Sequence, residues 1–214
     1  MNVSKFDLFK LSELIGIIIG DGNIYYKPDK RKYYFEITGD PKLEKSYFDY
    51  ISKLVQSLLG KKPTIRTQNR GLKLRLYSKN FVEFLIKELG IPHGRDKGTM
   101  VKIPDRFISQ EWKILKMCIR GIADTDGSLF LSKKGNNLNY PCIEIVTTSK
   151  PLAFQLKTLL SNKFRIGFRK YSRGEFRKQY ILSVNGDNMV NQWIEDIGFS
   201  NQRKSDKIIG KRGI

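Results

Sequence analysis

Two short segments of the chain end in an aspartate followed by a glycine, residues 14–22 (LIGIIIGDG) and residues 119–127 (IRGIADTDG). In each, small residues stand four apart, Gly16 and Gly20 in the first and Gly121 and Thr125 in the second. Residues four apart share a helix face, so each segment carries a stripe where another backbone can approach closely. Packing the two stripes together sets Asp21 beside Asp126 at the helix ends. That is an unfavourable place for a carboxylate: a helix C-terminus already carries about half a negative charge, and a second carboxylate adds repulsion. A divalent cation reverses the sign. An Asp-Gly turn after a helix accounts for either segment alone, but accounts poorly for the recurrence. Cys118, Cys142 and the single His93 make no Cys/His cluster, so any metal is held by oxygen. Both cysteines read as buried thiols of a reducing compartment, and His93 as a loop residue.

The elements that must position these acids repeat along the chain. Residues 72–91 align without a gap to residues 180–199, and each stretch reads as strand, polar turn, amphipathic helix and glycine. Glu36 matches Glu144 in the same frame. Periodicity predicts αββαββα in each half. In the first, a helix over about 7–20 precedes strands near 23–27 and 33–38, a helix near 43–59, strands near 64–68 and 72–77, and a helix over 80–89. The counterparts begin near residues 111, 128, 142, 152, 165, 179 and 188. Residues 1–92 form the first repeat, 93–104 a Gly- and Pro-punctuated linker, and 105–214 the second repeat.

Strand alternation separates two faces. Leu72, Leu74 and Leu76 point one way; Lys73, Arg75 and Tyr77 point the other. Thr64, Arg66 and Gln68 join that polar face, which Tyr25, Lys27, Tyr34, Glu36 and Thr38 extend. The second half offers Ser128, Ser132, Glu144, Arg165 and Arg169. A solvated sheet surface explains any one such strand, whereas recurrence in both halves, with Arg and Gln suited to guanine and adenine edges, predicts a major-groove reader.

The chain carries 40 Lys+Arg against 21 Asp+Glu, a formal charge of +19, with 40% hydrophobic and 12% aromatic residues. That composition excludes a disordered basic tail. The charge is shared, 20 basic against 11 acidic residues up to Ile103 and 20 against 10 after it, so both halves face one polyanion, most simply nucleic acid. The longest apolar run, residues 14–19, falls far short of the roughly 20 residues of a membrane span. The first ten residues hold no apolar signal core, which predicts an intracellular protein.

With these motifs in this repeat, the chain resembles the LAGLIDADG homing endonucleases in their single-chain, two-motif form, over residues 11 to about 207. Ile19 stands where the family's earlier acid often lies; the second motif keeps one, Asp124, read as structural. The resemblance implies an α+β fold (mixed α/β) whose antiparallel sheets form a DNA-binding saddle, and a monomer. It implies Mg²⁺-dependent hydrolysis of double-stranded DNA at a long, partly palindromic site, leaving 3′ overhangs; it leaves open whether an intron or an intein carries the gene, the lack of flanking splicing domains favouring an intron. Asp21 and Asp126, with the carbonyls of Gly20 and Thr125, would hold about two or three Mg²⁺ ions between the motifs. Lys97 (in HGRDKG) and Lys204 (in NQRKSD) would lie near the scissile phosphates, with Arg95 and Arg203 as neighbours able to serve instead. The same scaffold hosts splicing maturases, whose partner would be intron RNA, and non-cleaving DNA-binding regulators; retention of both aspartates favours cleavage.

Overall fold

The computed structural model describes residues 7–94, 97–172 and 178–209; Arg95 lies outside them. Helix α1 (Leu8–Ile19) is capped by the Asp7 carboxylate, which accepts from the amides of Phe9 and Lys10. Leu11, Leu14, Ile15, Ile17, Ile18 and Ile19 occupy every side of it and all are buried. A helix apolar all round must be covered all round. Helix α6 (Trp112–Asp126), helix α2 (Lys45–Leu59) and strand β1 (Gly22–Lys27) pack on it. The first acid-ending helix is thus the centre of the molecule.

Strand β1 pairs with β2 (Lys32–Gly39), β2 with β4 (Gly71–Tyr77) and β4 with β3 (Thr64–Gln68), all antiparallel. Ile24, Phe35, Ile37, Leu72, Leu74 and Leu76 line the buried face, as the leucine alternation requires. Helix α3 (Lys79–Glu83) closes this half against the sheet. The second half repeats the plan. Strand β5 (Gly127–Lys134) pairs with β6 (Asn137–Thr147), β6 with β8 (Lys178–Asn185) and β8 with β7 (Ile166–Ser172). Helices α7 (Lys150–Ser161) and α8 (Asp187–Asp196) cover its inner face. This is the α+β architecture of two four-stranded antiparallel sheets expected from the repeat.

Four expectations need correction. The helix over 80–89 is α3 followed by one wide π turn, Phe84–Glu88, which keeps Phe84 and Leu85 buried together with Phe81 and Val82. The segment over 93–104 is no loose linker: it holds helix α4 (Lys97–Met100) and buries Lys97, Val101 and Ile103. A short helix α5 (Asp105–Ile108) follows it. Strand β6 begins five residues before Cys142, because residues 137–140 continue the hairpin rather than turn out of it. Finally, α9 (Gln202–Ile209) follows α8 and has no counterpart in the predicted unit. Among the described residues no helix is long and apolar enough to cross a membrane.

Candidate active site

The close approach predicted from the small residues is realised. A Cβ on Gly16 would lie 2.0 Å from the Cys118 carbonyl oxygen, and one on Gly20 would lie 1.9 Å from Thr125 Oγ1 and 3.4 Å from Asp126 Cγ. Only glycine lets the helix axes come this near. Thr125 turns its hydroxyl back onto its own helix, donating to the carbonyls of Gly121 and Ile122 at 3.0 Å each. Asp21 and Asp126, each one step beyond these contacts, therefore share the bottom of the helix pair. Among the described residues they gain no third Asp, Glu, His or Cys that would complete a metal cluster.

Their electrostatics follow from crowding. One side of Asp21 is open to solvent, but the protein packed around the rest desolvates its carboxylate. This, with the negative charge of Glu44, pushes its pKa up to about 6 against the pull of Lys204 and Lys97. Burial and then the Asp21 charge push Asp126 up to about 7.

Each helix end also receives a lysine. Lys97, from α4, donates to the carbonyls of Ile19 at 2.7 Å and Gly20 at 2.9 Å. Lys204, from α9, donates to Ala123 at 2.8 Å, Thr125 at 3.3 Å and Gly127 at 2.6 Å. These are carbonyls at helix C-termini, where a cation is favoured. Both side chains are 8% exposed or less as residues. Burial pushes Lys97 down to about 8 although Asp126 and Asp21 favour its charged form, and burial likewise lowers Lys204. The negative helix ends inferred from sequence are thus met first by lysine. Lys204→Met should remove three buried bonds along with the cost of burying an ammonium, a net loss of about 1–2 kcal/mol, with Lys204→Arg losing less; thermal melts of the three proteins measure it.

A second network fixes α9. Asp124 is fully buried and accepts from the amides of Ser200 at 3.0 Å and Asn201 at 3.1 Å. Burial raises its pKa despite those bonds. Asn201 donates on to Glu44 at 3.2 Å, and Tyr50 and Ser200 both donate to Glu13. Arg203 pairs loosely with Glu44 at 3.8 Å. Asp124 therefore ties the start of α9, and with it Lys204, to residues of both halves. No pattern in the sequence pointed to Glu13, Glu44, Tyr50, Ser200 or Asn201, because their link is tertiary.

The faces of the sheets distribute the remaining candidates. On the first sheet, Tyr25 and Tyr34 stack with centroids 4.7 Å apart, Tyr34 meets Tyr77 at 5.2 Å, and Arg75 lies over the Tyr34 ring at 4.4 Å. Glu36 accepts from Lys73 at 2.9 Å and from Arg75 Nε at 2.8 Å. Burial raises its pKa, but these two bonds outweigh it and hold the carboxylate below its usual range. Lys27, Thr38, Thr64, Arg66 and Gln68 share this face by register, and so does Asn23, which the same alternation would have found. On the second sheet Ser128 stands opposite Glu144, and Arg169 pairs with Glu144. Ser132 donates to the Tyr140 carbonyl at 3.2 Å. Arg165 lies one residue ahead of β7 and lines a surface hollow with Asn185, Asp187 and Met189.

Two acids stand at the crossing of paired helices, each helix feeding a strand of its own sheet, in two units of like topology. A family model described as a LAGLIDADG-like domain matches residues 113–198. Over 91% of this chain and 99% of the other, the fold superposes on the structure of I-DmoI in complex with DNA and Mn, with a TM-score of 0.65 and 20% identity. The homing endonuclease I-WcaI bound to its DNA recognition sequence gives 0.63 and 13% over 94% of this chain and 87% of that one. Two proteins of Methanocaldococcus jannaschii are similar in sequence. One is uncharacterized, 24% identical over 93% of this chain and 70% of its own length; the other is a replication factor C small subunit, 26% identical over 94% of this chain and 10% of its own length. The second repeat thus matches the LAGLIDADG-like family model, and the chain as a whole has the fold of these two-sheet structures.

Proposed function

We propose that the chain is a site-specific double-strand DNA endonuclease acting as a monomer, dependent on Mg²⁺, and encoded within an intron. The observation that carries this reading is the pair Asp21 and Asp126 at the crossing of α1 and α6, each helix running into the first strand of its own sheet. The donor set fits a hard divalent ion: two desolvated carboxylates, with the second lone pair of the Gly20 and Thr125 carbonyls beside the one that Lys97 and Lys204 take, all oxygen. Such ions, when bound, acidify a water for in-line attack and stabilise the leaving 3′ oxygen. Asp21 and Asp126 supply the negative charge that draws them in. Lys97 and Lys204 hold the helix ends in register and place positive charge within reach of a phosphate. The first sheet's Arg66, Lys73 and Arg75 meet base edges and phosphates, and the excess of basic residues steers the duplex in.

Cleavage of a randomised duplex library by the purified protein tests this, with Mg²⁺, with Ca²⁺ and with EDTA. Enrichment of one long motif cut on both strands, with 3′ overhangs and only in Mg²⁺, is the expected result. Binding of DNA or structured RNA with no cutting under any condition would instead favour the regulator or maturase reading. Within the same assay, Arg75→Ala is expected to relax preference at a few base pairs, by about 1–3 kcal/mol each, while the cutting step persists. A uniform loss over all sequences would make Arg75 a phosphate contact.

A further inference from the structure

The two sheets repeat in register but not in chemistry. Glu36 faces Arg75 across β2 and β4, and Glu144 faces Ser183 across β6 and β8. Arg66 faces Lys73, and Arg169 faces Ile181. The Glu and Arg are thus kept at matched positions, while Lys73 becomes Ile181 and Arg75 becomes Ser183. Thr38, paired with Lys73, becomes Val146, paired with Ile181. Tyr25 becomes Phe130 and Tyr34 becomes Cys142 in the same frame. Among the described residues, the second face keeps Arg169 bonded to Glu144 and, at its outer end, Lys134 over the Tyr140 ring. Among the described residues, the second face thus keeps cations but lacks the two at the Lys73 and Arg75 positions.

Val146, Ile181 and Phe130 are half-buried rather than covered. Val146 also lines the hollow that holds Lys97, Gly20 and Asp126, with Ile181 paired beside it, while Phe130 lies farther out on the same face, beyond Glu144 and Ser183. In the major groove of a duplex the one apolar group presented by a base pair is the thymine C5 methyl, whereas Arg and Lys pair with guanine N7 and O6.

Resting on the nuclease reading above, we propose that the two half-sites are read by different chemistry. The first sheet uses hydrogen bonds from Arg66, Lys73 and Arg75 to purine edges. The second uses contact of Val146, Ile181 and Phe130 with thymine methyls, beginning next to the cut. The second half-site is then defined by T·A pairs, and its recognition depends on the methyl group itself.

The test alters single atoms of the DNA, so the fold of the wild-type chain is not at issue. The target is obtained by binding selection from random duplexes in Ca²⁺, then remade with deoxyuridine for thymidine, or 7-deazaguanine for guanine, in one half at a time. Deoxyuridine should weaken binding about three- to tenfold in one half and less than about twofold in the other. Deazaguanine should do the reverse. Ile181→Ser should abolish the uracil sensitivity and Arg75→Ala the deazaguanine sensitivity, which assigns each half to its sheet. Equal uracil effects in both halves, no uracil effect at all, or full uracil sensitivity in a folded Ile181→Ser/Val146→Ser protein would overturn the proposal. If no motif is enriched, the nuclease reading and this one fall together. If a motif is bound but never cut in Mg²⁺, the nuclease reading fails alone, and the base substitutions still decide this one.

Discussion

Asp126→Asn is expected to abolish cutting and to make the metal-free protein more stable. The first effect follows from the site: with one of two carboxylates neutral, divalent binding loses half its charge, and cleavage should fall by about a thousandfold or more while binding in Ca²⁺-free buffer persists. The second follows from the raised pKa. A carboxyl shifted up from 3.8 to about 7 by folding contributes stability that is present below pH 3.8 and lost as pH rises through about 7. The asparagine has no such slope. Its advantage in EDTA should be near zero at pH 4 and grow toward pH 8. With the group partly screened by solvent, it should reach about 1–2 kcal/mol there, a few degrees in Tm. Added Mg²⁺ should raise the wild-type Tm and leave the variant's unchanged. A variant that cuts like wild type would remove the carboxylates from the mechanism; a variant less stable than wild type at pH 8 would show that the acids are held by bonds rather than strained by burial.

That pairing of function with instability explains which parts of the site were legible. Repeated Asp-Gly ends and four-residue spacing of small residues are local patterns, so the crossing of α1 and α6 could be read from them. Strand alternation is equally local, and placed Tyr34, Glu36, Lys73 and Arg75 on one face with the leucines on the other. It fails where the pattern is assumed to repeat: Ile181 and Ser183 stand at the positions of Lys73 and Arg75 in the ungapped alignment of residues 72–91 with 180–199, and the register of β8 against β6 puts them on the outer face. The lysines were suggested by the family resemblance, but their partners were not. Lys97 spans 78 residues to reach the Ile19 carbonyl, and Lys204 depends on Asp124 anchoring Ser200 and Asn201 from 76 and 77 residues away. Such contacts leave no periodic trace. The charge argument called for a divalent cation between the aspartates; the ammonium groups of Lys97 and Lys204, which it did not foresee there, bond the carbonyls of the same helix ends.

Gly121→Ala is expected to do severe damage at the helix crossing. Judged by helix propensity alone it would stabilise α6 by about 1 kcal/mol. Packing reverses the sign. The new Cβ would meet the Glu13 carbonyl oxygen at 2.3 Å, the Ile17 nitrogen at 2.7 Å and the Gly16 carbonyl carbon at 3.0 Å. All three are backbone atoms of α1, so no side chain can rotate out of the way, and the buried ring of isoleucines and leucines around α1 leaves that helix nowhere to retreat. The helices must part by a substantial fraction of an ångström, at a net cost of about 2–4 kcal/mol. Because Asp21 and Asp126 hang from the ends of these two helices, the same displacement should separate the acids. At a temperature where the variant is folded, cleavage should therefore fall further than DNA binding. Gly98→Ala provides the contrast: its Cβ would meet only Thr148 Oγ1, at 3.7 Å, beside the same site but without a backbone in the way, and its Tm should stay within about a degree or two of wild type. Equal effects from the two substitutions would mean that the helix crossing is not the rigid frame of the site, and the small-residue stripe would lose its role in setting the acids side by side.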